Sequence, residues 1–184
     1  YTWKDFAEKC VEVYEKSGGK YYGTIDSGVI STNFDKFAYT HLAKPAPYPY
    51  DNENIYFTEE DIAAYYQYWK DLRETGAIAP ADLSISKGLD LIYDTVAFVF
   101  IWSATFEQFQ NESQDELGMI LIPQGENGER AETARPPMIF SIFSGTKYSE
   151  ECAKFIDWFI NSDEAALILG TCRGVLQQKA REML

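Results

Sequence analysis

The longest unbroken apolar run in the chain is Val96, Ala97, Phe98, Val99, Phe100 and Ile101, rich in β-branched and aromatic side chains. It is too short to cross a membrane and too continuous for a strand with one wet face. The pattern predicts a strand inside a sheet covered on both sides. The run gives way to Trp102 and Ser103, a large ring beside a hydroxyl, and 105–111 then reads as a short helix. In open α/β sheets ligands bind outside the carboxyl ends of the strands, which makes Trp102 a candidate rim residue; the alternative is that it packs in the core.

The remaining elements follow from periodicity and caps. Thr2 with Asp5 three residues on, and Tyr1 and Phe6 as a hydrophobic staple, predicts a helix whose buried face is Trp3, Phe6, Ala7, Cys10, Val13 and Tyr14, stopped at Ser17, Gly18 and Gly19. Residues 20–25 read as a strand, followed by the small polar segment Asp26, Ser27 and Gly28. A short helix is expected over 34–42, and a rigid loop over 44–50, which holds three prolines. Thr58 followed by Glu59, Glu60 and Asp61 opens the clearest helix, with Ile62, Tyr65, Tyr66, Trp69 and Leu72 as one stripe, Gly76 at its end and Pro80 beyond.

A further short helix is expected over 83–93. After the central run come a second strand over 117–122, an exposed polar turn over 124–129, and a loop passing into a third strand over 135–143. Ser149 is expected to cap a helix buried through Cys152, Phe155, Ile156, Phe159 and Ile160. Ser162, Asp163 and Glu164 start another, closed by Gly170, before a turn at Cys172, Arg173, Gly174 and Val175 and one more helix. Strands and helices mix without a strict βαβ alternation or an internal repeat, so the fold class expected is α/β, helix-rich, with a small mixed sheet covered by helices.

Composition narrows the function. At 184 residues one domain, or one large lobe, is expected, enough to bury about 70% of the unfolded surface. A net charge of -13 disfavours nucleic acid, because neutralising phosphates needs clustered Lys and Arg, and it suits an uncharged ligand better. Aromatics make up 16% of the chain, more than a core of this size demands, so some are expected to line a surface or cleft. Cys10, Cys152 and Cys172 have no zinc-type or CxxC spacing; Cys10 and Cys152 read as helix-face packing residues, with one disulfide left open. With His41 the sole histidine, a His-rich metal site or a Ser-His-Asp triad has little to draw on; no metal or cofactor is expected, and His41 reads as a residue near a helix end. No signal peptide, lipidation motif or membrane-spanning run is present, and the first residue is Tyr rather than Met, so removal of the natural N-terminus is expected.

Several segments in order resemble one family. Thr2, Trp3, Lys4, Asp5 and Phe6 are similar to the segment with which the extracellular solute-binding proteins of sugar ABC importers, of the maltose and oligosaccharide type, enter their second lobe. Phe57 to Glu60, Tyr68 to Leu72 and Gly76 to Pro80 resemble that family's middle helix and following turn. The strand leading to Trp102 and Ser103 resembles its Ala-Met…Trp-Ser-Asn strand, whose tryptophan stacks on sugar rings. Leu117 and Gly118, Ile122 and Pro123, 137–142, 153–158 and Arg173-Gly174-Val175 complete the series. Ala104 departs from the pattern, standing where relatives often carry Asn. Family members are longer at both ends. The resemblance therefore implies that 1–184 corresponds to a single C-terminal-type lobe of a type II periplasmic-binding-protein-like fold, with the N-terminal lobe and distal C-terminal helices absent.

The resemblance implies a non-catalytic role: binding a sugar or oligosaccharide in the cleft between two lobes and delivering it to the permease subunits of an ABC importer. The location implied is extracellular, as a cell-surface lipoprotein or in the periplasm. A sugar site needs a flat aromatic for the C–H face and fixed hydrogen-bonding groups for the hydroxyl edge. Trp102 is the stacking candidate and Ser103 its polar neighbour. The resemblance puts Asp26 and Ser27 in the loop facing the cleft, where Asp26 could accept two hydroxyls; their other reading is as turn residues. Arg135 precedes a Pro-Pro pair within reach of the cleft, and Arg173 is the Arg-Gly turn residue, equally suited to a structural ion pair. Two other functions stay open. A stand-alone lectin-like module would need only an exposed aromatic site. A glycoside hydrolase would draw a carboxylate pair from the 29 acidic residues, most of which fall in helix first turns or polar loops.

Overall fold

A computed structural model describes residues 1–28, 31–42, 53–82, 95–131 and 139–169. The chain divides into two compact units, Tyr1–Phe100 with Gly118–Thr133, and Ile101–Leu117 with Ala134–Leu184.

The first unit begins with helix α1, Trp3–Lys16. Its start is fixed locally: the Thr2 hydroxyl accepts from the Asp5 amide at 3.2 Å, and the Asp5 carboxylate accepts from the Thr2 amide at 2.7 Å. This capping box satisfies two otherwise orphaned donors, and the Thr2 bonds hold the Asp5 carboxyl below its ordinary value. Trp3, Phe6 and Cys10 are the fully buried positions of α1. The helix ends where Gly18 and Gly19 take φ of 64° and 81°, a left-handed conformation with little penalty only for glycine. The Tyr1 ring is 41% exposed, and its hydroxyl donates to the Leu121 carbonyl at 2.9 Å.

Strand β1, Tyr22–Thr24, lies directly beneath α1. A Cβ at Gly23 would overlap Cβ and Cα of Cys10, so close packing of helix on strand requires glycine here. On one side β1 pairs in parallel with β2, Val96–Phe98, setting Tyr22 opposite Val96 and Thr24 opposite Phe98. On its other side the Gly23 amide donates to Ala77 O at 2.8 Å and the Ala79 amide to Thr24 O at 2.9 Å, forming a parallel bridge between Thr24 and Ile78. Every strand pairing among the described residues is parallel.

β2 is shorter and wetter than its sequence suggests. Val96 and Phe98 are half-buried and Ala97 is exposed, because among the described residues β2 pairs only with β1 and lies at the sheet edge. Its covered face is the one carrying Phe98, which with Phe100 packs on Phe6 at ring separations of 6.0 and 5.2 Å.

Helix α2 spans Ser31–Thr40, starting and ending earlier than the apolar pattern implied. Helix α3, Glu59–Glu74, starts from a second capping box, between Thr58 and Asp61. It buries Tyr65, Trp69 and Leu72, whereas Tyr66, expected on the same stripe, is 53% exposed. Being adjacent to Tyr65, Tyr66 is rotated about 100° away on a 3.6-residue helix. Thr58→Ala removes the cap and is expected to lower stability by about 1 kcal/mol in urea unfolding; an unchanged midpoint would show the cap is not limiting.

Trp3, Phe6, Cys10, Phe37, Tyr65, Trp69, Leu72, Ala77 and Ile78 form one core. Trp3 is at its centre, with edge-on contacts to Phe37 at 5.3 Å and Tyr68 at 5.9 Å, and its indole N–H donates to Thr40 Oγ1 at 2.8 Å. Burial pushes the Cys10 thiol up to about 12 and raises the Tyr65 and Tyr68 hydroxyls above the usual phenol range, so all three stay neutral at pH 7.

The expected strand over 117–122 does not form. Met119, Ile120 and Leu121 are 46%, 63% and 53% exposed; the stretch meets the start of the chain through the Tyr1 hydroxyl on Leu121 O and, just beyond it, through a parallel bridge between Thr2 and Gln124. With no strand partner among the described residues, the run forms no strand. The turn after it is as expected: Gly128 has φ of 86°, and its amide donates to Gly125 O at 3.0 Å.

The second unit holds a 3-10 turn, Ser103–Thr105, then α4, Phe106–Glu112, α5, Ser149–Asn161, and α6, Asp163–Leu169. Ser149 is the first helical residue of α5 rather than its cap; Tyr148 takes the cap position, its amide donating to Thr146 Oγ1 at 3.1 Å. The face of α5 expected to be buried is not. Phe155 is 56% exposed and Ile160 37%, while Cys152, Ile156 and Phe159 are half-buried. The expected strand near 139–143 is likewise absent, with Ile139 87% and Phe143 77% exposed. In α6 the Ser162 hydroxyl accepts from the Glu164 amide, as its cap position predicts. Cys10 and Cys152 are free thiols. The proline-rich loop 44–50, the helix over 83–93, Gly170, Cys172, the 172–175 turn and the final helix lie outside the described residues.

Candidate functional site

Trp102 has extended backbone, φ -77° and ψ 140°, and stands immediately before the 3-10 turn. Its carbonyl accepts twice from Thr105, from the amide at 2.9 Å and the hydroxyl at 2.8 Å. Those two bonds hold the backbone that carries the ring, and the ring is 54% exposed. Ser103 beside it is also exposed, and Ala104 is half-buried. An exposed indole on a fixed backbone offers a flat apolar face with little ordering left to do on binding.

Asp26 and Ser27 sit in the first unit, directly after β1. Asp26 Oδ1 accepts from the Gly28 amide at 3.0 Å, and Oδ2 accepts from Arg73 Nη1 at 2.8 Å. The first contact is the local turn role that the sequence also allowed. The second ties the loop to the last turn of α3. The pair is partly exposed, at 41% for Arg73 and 28% for Asp26, so solvent screening holds its contribution to about 1 kcal/mol or less.

Ser27 is fully buried, and its carbonyl accepts from Tyr65 Oη and Asn33 Nδ2, both at 3.3 Å. The Ser27 hydroxyl and the Trp69 indole N–H are buried with no hydrogen-bond partner among the described residues. Gly28 closes this layer, since a Cβ there would come within 2.8 Å of Trp69 Cγ. Arg135 and Arg173 lie outside the described residues.

His41 follows α2 with its ring 4.6 Å from that of Phe37; burial lowers its pKa, and Glu126 acts in the opposite sense. These surroundings fit a packing role. Among the described residues no group of three or more His, Cys, Asp or Glu side chains could hold a metal ion. The acids Asp5, Glu59, Glu60, Asp61, Glu150 and Glu151 occupy helix first turns, where they complement the dipole. Sequence reasoning missed Arg73 as the partner of Asp26. The two are 47 positions apart, and neither sits in a motif that names the other.

The sequence model of the bacterial extracellular solute-binding proteins matches residues 1–166. The chain belongs to that family. It is a family of binding proteins that serve transport, located outside the bacterial cytoplasm. A solved structure, an extracellular solute-binding protein family 1 member from Alicyclobacillus acidocaldarius subsp. acidocaldarius DSM 446, is similar over 99% of this chain with a TM-score of 0.72 and 23% identity. At that identity the likeness speaks to the fold, and the fold agrees: an α/β arrangement in which helices dominate over a small sheet. The chain spans 46% of that protein's length.

Proposed function

We propose that this chain is one lobe of the substrate-binding component of a carbohydrate ABC importer, capturing a sugar or oligosaccharide and presenting it to the permease subunits. The observation that carries the reading is Trp102: a ring 54% exposed, on backbone pinned by Thr105, beside an exposed Ser103. Pyranose rings present C–H faces that stack on such a surface, with hydroxyls at the edge for a serine. Asp26, Arg135 and Arg173 are the further polar contributors in this reading, and Ser27, which is fully buried, supports the Asp26 loop through the bonds of its carbonyl to Tyr65 and Asn33. Asp26 has a lone pair left on each oxygen beyond those used by Arg73 and Gly28.

In the same reading the protein is not an enzyme, it sits at the cell surface as a lipoprotein or in the periplasm, and 1–184 is a single lobe whose partner lobe comes from the remainder of a longer gene product. Closure of two lobes around the ligand would create the form the permease distinguishes.

The test is tryptophan fluorescence of the uninterrupted gene product during titration with mono- and oligosaccharides. A saturable change is expected, and Trp102→Ala is expected to weaken binding at least about tenfold, as for a buried aromatic anchor. Equal affinity in wild type and variant would remove Trp102 from the site.

A further inference from the structure

We infer that Asn127 is the chain's preferred site of spontaneous deamidation, and that Glu129 restrains the reaction by holding the amide groups of Asn127. The inference goes beyond the carbohydrate reading and does not depend on it.

Asn127 is the asparagine of this chain that is followed by glycine. The reaction needs the backbone nitrogen of the next residue to reach the side-chain carbonyl carbon, and glycine puts no Cβ in the way. The pair stands in the turn 124–129, where Asn127 and Gly128 are both exposed and a Cβ at Gly128 would meet nothing. Other asparagines are worse placed. Asn33 is buried and its side chain donates to Ser27 O, while Asn111 lies in α4 and Asn161 ends α5, where the following Ser162 amide is committed to Trp158 O at 2.9 Å.

Water is the sole co-reactant. The Gly128 nitrogen loses its proton and bonds to Asn127 Cγ, the Cγ–Nδ2 bond breaks, and ammonia leaves after taking up a proton. Water then opens the cyclic imide at either carbonyl, giving an aspartate or, with the backbone rerouted through Cγ, an isoaspartate.

The turn opposes this chemistry at both reacting groups. The Gly128 amide donates to Gly125 O at 3.0 Å, so the nucleophile is engaged. Asn127 Nδ2 donates to Glu129 Oε1 and the Asn127 backbone amide to Oε2, both at 3.1 Å, which ties the leaving group to Glu129. Its own backbone amide and the Asn127 side chain hold the Glu129 carboxyl below its ordinary value, so it remains an acceptor at neutral pH.

Conversion replaces a donor facing Glu129 with a carboxylate, in a turn that also carries Glu126 and in a chain already at -13. The turn closes through the Gly125 amide on Glu129 O at 2.8 Å, and Gly125 packs so tightly on the end of α2 that a Cβ there would clash with Thr40 O. Like-charge repulsion inside the turn therefore loosens its seat on α2.

The test is storage of the full gene product in mildly alkaline buffer, followed by peptide mapping with mass detection and isoaspartyl methyltransferase labelling. Asn127 is expected to convert ahead of every other asparagine. Its rate is expected to be about tenfold below that in a free peptide of 122–131, the factor that one or two surface hydrogen bonds supply. Glu129→Ala is expected to recover most of that factor, and Glu129→Gln, which keeps a weaker acceptor, part of it. The converted fraction, separated by charge, is expected to melt below the intact protein. Another asparagine converting first overturns the site. A peptide-like rate in wild type, or an unchanged rate in Glu129→Ala, overturns the restraint, and an unchanged Tm overturns the link to α2.

Discussion

Trp3→Ala is expected to lower unfolding stability by about 3–5 kcal/mol, read as a large drop in the urea midpoint. The ring is 1% exposed and meets Phe6, Phe37, Tyr68 and Phe100, so truncation opens a cavity bounded by four aromatic rings that cannot all collapse into it. It also removes the donor at 2.8 Å from Thr40 Oγ1, which keeps its own bond to Lys36 O but loses the indole partner. Trp3→Phe keeps an aromatic ring in the core while removing the N–H and part of the indole volume; a smaller loss of about 1–3 kcal/mol is expected there. Since domains of this size are stable by only about 5–15 kcal/mol, the alanine variant should populate unfolded chain at modest denaturant. A midpoint within error of wild type would mean that the core does not centre on Trp3.

Gly23→Ala is the second large effect, and it works through overlap rather than loss. The added methyl would come within 2.3 Å of the Cys10 Cβ and 2.4 Å of its Cα, which belongs to the α1 backbone and has no rotamer to escape into. Helix and strand must separate, disturbing the amide of Gly23 that reaches Ala77 O and with it the junction of β1 with the segment after α3. A cost of about 1–3 kcal/mol or more is expected for such overpacking. Gly128→Ala makes a useful contrast, because a Cβ there meets nothing and only the φ of 86° is strained. If Gly23→Ala proves no more damaging than Gly128→Ala in thermal melts, α1 does not sit on β1 as described.

What the sequence revealed, and what it hid, divides along a physical line. Both capping boxes were legible because their partners are three residues apart, and the 3.6-residue stripe through Tyr65, Trp69 and Leu72 placed the buried side of α3 for the same local reason. The run from Val96 announced a strand, but whether a second layer covers it depends on chain elsewhere, and β2 turned out half-buried at an edge. The same gap explains 117–122, 139–143 and the apolar side of α5: the pattern marks a face that wants covering and says nothing of what covers it. For the candidate site, a large ring beside a hydroxyl was enough to single out Trp102, whose ring is exposed. The burial of Ser27 and the grip of Arg73 on Asp26 arise from contacts across long sequence separations, which no local pattern encodes.

Isothermal titration of the uninterrupted gene product with a panel of mono- and oligosaccharides, followed by product analysis of the same samples, tests the carbohydrate-receptor account most directly. Saturable heat with the sugar recovered intact is the predicted result, for a receptor that holds its ligand between lobes and does not cut it. Hydrolysed sugar, or full affinity in the 184-residue chain alone, would contradict it, the first in favour of a glycoside hydrolase and the second in favour of a free-standing carbohydrate module.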